Sequence, residues 1–255
     1  MRDILDAVAA GELSPEAAEA KLRGYVTGEA GRFDAARERR SGVPEAVLAD
    51  GKTPAEVAAL VATSLESTDR AIATRLTEEH VRAVRERLDE EAPAASIRLH
   101  DRAGVLVARS PDFEPPALDA SVAVVTAGTS DAVPAGEAAA IACEMGADVD
   151  RISDVGVAAL TRLTDQLERL REHDVLVVAA GREGALPTVV AGLVDVPVIG
   201  LPVSTGYGHG GEGEAALSGM LQSCTALSVV NVDAGFTAGA QAGLVARRAD
   251  AARRE

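Results

Sequence analysis

The chain is predicted to be an α/β protein: a flavodoxin-like, three-layer parallel sheet preceded by a small α+β domain. Three observations carry this reading. From "SVAVVTAG" onward, short apolar runs alternate strictly with helical patterns, as in parallel strands covered on both faces. Upstream, polar helices and a few short strands show no such alternation. Between the two lies "SPDFEPPALDA", three prolines in eleven residues, which reads as a linker. The expected domains are therefore residues 1–112 and 118–250.

The N-terminal elements follow in order. Ile4, Leu5 and Val8 share one helical face. "SPEAAEAKL" offers Ser14 as N-cap with Pro15 in the first helical position, and "GKTPAEVAALVATSL" repeats the device with Thr53 and Pro54. Between them, "GRFDAARERRSGVPEAVLADG" is basic, then short and apolar. "AIATRL" and "SIRLHDRAGVLVARS" read as strands, the latter turning back at Arg102–Gly104.

In the second domain "SVAVVTAG", "DVDRIS", "DVLVVAAG", "VPVIGLP" and "ALSVVNVD" are the strands. The helices between and after them are "AGEAAAIACEMGA", "VAALTRLTDQLERLRE" with a 3.6-residue period, "ALPTVVAGL", "GEAALSGMLQSC" and "AGAQAGLVARRADAA". The expected strand order is 2-1-3-4-5, which places ligands beyond the carboxyl ends of the strands.

Composition narrows the partners. The net charge is −15, which disfavours phosphate backbones and excludes nucleic acid as the expected partner. With no Trp, two Tyr and three Phe, there is no stacking platform for single strands either. An acidic chain whose lysines are Lys21 and Lys52 fits a halophilic protein of a salt-rich cytoplasm. Two cysteines, Cys143 and Cys224, make no disulfide framework. No run is long enough for a membrane span or a signal peptide, so a cytoplasmic protein without membrane contact is expected.

The residues after the strands are rich in Gly, hydroxyls and acids, and should meet on one rim. In "AGTSD", the amides of Gly128 with the hydroxyls of Thr129 and Ser130 suit a phosphate or carboxylate, while Ser130 or Asp131 could equally cap the following helix. "DVG" brings Asp154. "GREG" puts Arg182 and Glu183 between Gly181 and Gly184, where a carboxylate beside an arginine, partly shut from water, could serve as a base. "STGYGHGGEG" brings Ser204, Gly206, Tyr207 and His209 on a glycine-dense loop suited to a lid, or to solvent. "NVDAG" adds Asp233. Taken by itself, Cys224 reads as a small buried apolar residue at the wrong end of its helix for the rim, and Cys143 as core.

Taken together, "VVAAGREGALPTVVAGLVDVPVIGLPVSTGYG", "MLQSC", "VVNVDAGFTAG" and "RISDVGVAAL" resemble the LarB family of nickel-pincer cofactor biosynthesis, as do "FDAARERRSGVPEAVLADGKTPAEV" and "ATR" upstream. The second domain is also similar to PurE-type purine carboxylases and mutases, which makes the expected sheet PurE-like. The resemblance implies an enzyme that carboxylates the pyridinium ring of nicotinic acid adenine dinucleotide with CO2 and hydrolyses its phosphoanhydride. The products are pyridinium-3,5-biscarboxylic acid mononucleotide and AMP. It implies Cys224 as the nucleophile adding to ring position 4 and Glu183 as the base at position 5, with Arg162 among the substrate-binding residues. It further implies a homo-oligomer, an octamer by analogy, and Mg²⁺ as a possible cofactor with ligands unknown; neither biotin nor ATP is expected. Two departures stand out: Arg182 where the family commonly has an apolar residue, and Thr161 where both relatives are expected to have His. The alternatives are an aminoimidazole ribonucleotide carboxylase or mutase, and a non-catalytic nucleotide-binding module. The N-terminal domain is expected to close over the adenylate half of the dinucleotide.

Overall fold

The computed structural model describes every residue except 1, 12, 16, 17, 19–21, 23, 207 and 255. It divides into two compact units, 1–114 and 115–255. Among the described residues the first unit holds helix α1 (Arg2–Ala9), an antiparallel hairpin of β1 (Val26–Gly28) and β2 (Gly31–Phe33), and the short helix α2 (Arg37–Ser41). Then follow β3 (Val47–Leu48), α3 (Pro54–Thr68), β4 (Arg70–Thr74), α4 (Glu78–Glu91), β5 (Ser96–His100) and β6 (Val105–Arg109). The last four strands form a mixed sheet in the order β3-β4-β6-β5. The helix expected at "SPEAAEAKL" lies largely outside the described residues.

Helix α3 starts where its sequence says. The Thr53 hydroxyl accepts the Glu56 N–H, and the Glu56 carboxylate accepts the Thr53 N–H at 2.7 Å, a reciprocal cap with Pro54 in the first turn. Val57, Val61 and Leu65, four residues apart, press one face onto Ala71, Ala73, Leu106 and Ala108 of the sheet, beside Val84 and Leu88 of α4. Helix α4 was not legible in the sequence. It has few apolar positions, and its cap uses His80 where Glu or Gln is usual. The Thr77 N–H donates to His80 Nδ1 at 3.1 Å, so the ring's other nitrogen carries the proton it donates to the Lys52 carbonyl at 3.0 Å. One imidazole thus ties the starts of α3 and α4 together.

The second unit runs β7 (Ser121–Thr126), α5 (Ala132–Glu144), β8 (Asp148–Ile152), α6 (Leu160–Thr164), α7 (Leu167–Arg171), β9 (Val175–Ala180), α8 (Ala185–Ala191), β10 (Val198–Pro202), α9 (Glu214–Leu221), β11 (Leu227–Val229) and α10 (Gly235–Arg254). The strands are parallel in the order β11-β10-β9-β7-β8, the flavodoxin-like order 2-1-3-4-5. β7, β9 and β10 are buried almost end to end, as their unbroken apolar runs require. One face packs Val122, Val124, Val177 and Leu201 against α5 and α10; the other packs Val125, Leu176 and Val178 against Leu163, Leu170, Leu186 and Met220. No helix among the described residues is long and apolar enough to cross a membrane.

The single helix expected at "VAALTRLTDQLERLRE" is instead a 3-10 turn (Val157–Ala159) followed by α6 and α7. The Thr164 hydroxyl bonds the Thr161 carbonyl at 3.1 Å, and Gln166 N–H turns back to Leu163. Short polar side chains that bond their own backbone compete with the helix ladder, and the apolar period alone does not reveal the break.

Candidate active site

The five loops after the parallel strands meet on one rim, stitched in the order of the sheet. Val155 N–H donates to the Thr126 carbonyl at 3.1 Å, drawing the β8 loop to that of β7. Asp131 lies beneath the "GTSD" turn with its carboxylate accepting the Gly128 N–H at 2.8 Å, the Ser130 hydroxyl at 3.3 Å and backbone N–H groups of Ala127 and Gly181. Burial pushes the Asp131 carboxyl above the ordinary 3.8, and these hydrogen bonds offset only part of that rise. Asp131 is thus a buried latch between two loops, while Thr129 and Ser130 stay exposed above it.

The next contact needs a glycine. A side chain at Gly181 would run into the Thr205 carbonyl, so only Gly lets the β9 and β10 loops close on each other. Thr205 reaches back to the Ser130 carbonyl at 3.3 Å, and Ser204 N–H donates to Asp233 at 3.0 Å, which ties in the β11 loop. Arg162 pairs with Asp154 at 2.9 Å on the exposed outer part of the rim.

Backbone strain collects here. Asp154, Arg182 and Asp233 lie two to four residues past the ends of their strands and adopt φ of 64°, 54° and 54°; Glu212 in the glycine-dense loop is at 55°. Each such residue costs on the order of 1–2 kcal/mol unless it is Asp or Asn, whose side chains ease the cost. Arg182 has no such excuse. Between it, Glu183, Thr205, His209, Gly210 and Gly211 opens a cavity of about 320 Å³.

The rim thus unites Gly128, Thr129, Ser130, Asp131, Gly181, Arg182, Glu183, Gly184, Ser204 and Gly206. Tyr207 lies outside the described residues. Sequence reading passed over Thr205, and over Gly219, whose position inside the short helix α9 was the available signal. A side chain at Gly219 would strike the Glu183 carbonyl, so α9 sets where that turn stands. His209 was visible as one of few imidazoles but not tied to Glu183.

Three expectations need correction. Cys143 is exposed on α5 rather than core, because it points away from the sheet that Ala138 and Ala142 contact. Cys224 is exposed as well, not buried. It lies past the end of α9, before β11 begins, at the amino end of the strands. β11 pairs Leu227 with Val198, and Val198 with Leu176, so Cys224 and Glu183 stand at opposite ends of the sheet of one chain. Glu183 and Arg182 are open to water in the single chain rather than partly shut from it. Among the described residues no group of three His, Cys, Asp or Glu side chains comes together. Asp131 holds the Gly128 N–H, Asp154 the Arg162 guanidinium and Asp233 the Ser204 N–H.

A parallel sheet with a polar cavity and strained, glycine-bearing loops at its carboxyl edge defines a ligand-binding α/β domain of enzyme type. Residues 121–255 match the AIR carboxylase family, and residues 25–110 match the LarB/PurE-like N-terminal domain. The chain belongs to the AIR carboxylase family and has the two-domain architecture of LarB. It is 37% identical over 259 residues to the "Uncharacterized protein MJ0165" of Methanocaldococcus jannaschii, with 97% of each chain covered. The two domains support a carboxylase-type function.

Proposed function

We propose that this protein carboxylates the pyridinium ring of nicotinic acid adenine dinucleotide and hydrolyses its phosphoanhydride, giving pyridinium-3,5-biscarboxylic acid mononucleotide and AMP. The reading is supported by the rim, where Glu183 lines a polar cavity with Thr205, itself bonded to the Ser130 carbonyl, in a chain that carries a LarB-type N-terminal domain. A pyridinium carbon cannot attack CO2 until a nucleophile dearomatises the ring. The Cys224 thiolate forms a C–S bond at position 4, and the ring electrons move toward nitrogen. Position 5, now an enamine carbon, bonds CO2. Glu183 takes the position-5 proton, the ring electrons return, and the C–S bond breaks. Water then cleaves the phosphoanhydride. The activated ring needs neither biotin nor ATP.

Because Cys224 and Glu183 lie at opposite ends of one sheet, the proposal requires a homo-oligomer in which a second copy brings its cysteine to the rim. Mass spectrometry of wild type and Cys224→Ser with the dinucleotide, bicarbonate and Mg²⁺ tests the chemistry. Biscarboxylated mononucleotide plus AMP from wild type alone is expected. The family match keeps a purine alternative open. Consumption of aminoimidazole ribonucleotide instead, by both proteins, would move the activity to that branch, and binding without turnover by both would make this a nucleotide-binding module.

A further inference from the structure

Resting on that functional reading, we infer that Arg182 and His209 form a two-point carboxylate clamp that selects the acid form of the ring over its amide. Both residues line the same cavity of about 320 Å³, one from the turn after β9, the other from the glycine-dense loop before α9. Glu183 lines it too, beside Arg182 in the chain. A cavity carrying a base and two nitrogen donors suits a ligand that brings its own negative charge on the same ring as the atom that loses a proton.

The backbone adds an independent reason. Arg182 is held at φ 54°, a conformation that Gly would adopt without strain and that an arginine adopts at a cost. Two residues further on, Gly184 takes a φ of 66° in the same turn. An arginine kept at such a site is explained by what its fork does. Planar guanidinium matches carboxylate bidentately, and an imidazole N–H supplies a second donor from the other wall. A carboxamide in the same place turns N–H groups toward these donors, losing the charge-assisted bonds and leaving donors unpaired. Sites built to hydrogen-bond one group reject the analogue lacking it far more strongly than apolar pockets do.

Equilibrium binding of the nicotinic acid and nicotinamide dinucleotides is measured on the full-length wild type, Arg182→Gly and His209→Gln. Arg182→Gly relieves strain and His209 is exposed, so both variants should fold. Wild type is expected to bind the acid about tenfold or more tightly than the amide, and each variant to lose most of that preference through weaker acid binding alone. Equal losses for both ligands, or an unchanged preference, would overturn the clamp. If wild type binds neither dinucleotide, the functional reading fails, and the clamp is then judged with 4-carboxy-5-aminoimidazole ribonucleotide against its decarboxylated form on the same three proteins. A wild type that favours no ring carboxylate over its neutral counterpart also overturns it.

Discussion

Asp131 shows how one buried residue can tie two loops of the rim together. Its carboxylate gathers N–H groups from the "GTSD" turn and from Gly181, and burial raises its pKa above 3.8. A carboxyl with a raised folded pKa contributes most stability below the unfolded value and loses it as pH rises through the folded one. Asp131→Asn keeps the shape and removes the charge. Denaturant unfolding at about pH 3 and about pH 7 should therefore show the variant gaining relative to wild type as pH rises. A flat or opposite difference would place the carboxylate's cost elsewhere. Arg182 and Glu183 could be read from the sequence because two charges between glycines at a strand end are hard to explain as a connection. Asp131 was read as a rim residue. Its inward turn depends on Gly181, fifty positions away, which no local pattern reports.

At the level of elements, α9 sets where the Glu183 turn stands. An interior helix glycine replaced by alanine ordinarily gains about 1 kcal/mol. At Gly219 the added methyl would meet the Glu183 carbonyl, a backbone atom that cannot step aside, and such overpacking costs about 1–3 kcal/mol. The clash should win. Gly219→Ala is expected to lower stability by about 1 kcal/mol and to cut turnover with little change in ligand affinity, read from melting curves and from kcat against KM. A stabilised, fully active variant would mean that α9 moves freely. The elements themselves differ in legibility for physical reasons. α3 announces itself through Thr53, Pro54 and a four-residue apolar spacing, whereas α4 rests on a histidine cap and a narrow apolar stripe. The α6–α7 break is local polar competition hidden under an apolar period.

Across the whole molecule, the separation of Cys224 from Glu183 turns a question of mechanism into one of assembly. If a second copy supplies the cysteine, co-assembled Cys224→Ser and Glu183→Gln chains should recover activity, because some sites then combine an intact cysteine with an intact glutamate. Random mixing makes about a quarter of the sites whole. Turnover of the mixed oligomer approaching that fraction, from two variants inactive alone, supports the shared site. No recovery in an oligomer shown to be mixed would require each chain to bring its own two residues together.

The sequence by itself determined the parallel sheet, its strand order and the loops that form the rim, because apolar periodicity and glycine placement are local consequences of burial and turn geometry. Only the tertiary structure decided which of those loops touch, that Asp131 faces inward, that His209 shares a cavity with Glu183, and that Cys224 stands at the far end of the strands. Those relations join residues distant in the chain through packing and hydrogen bonds between loops, and nothing in the spacing of either partner encodes the other.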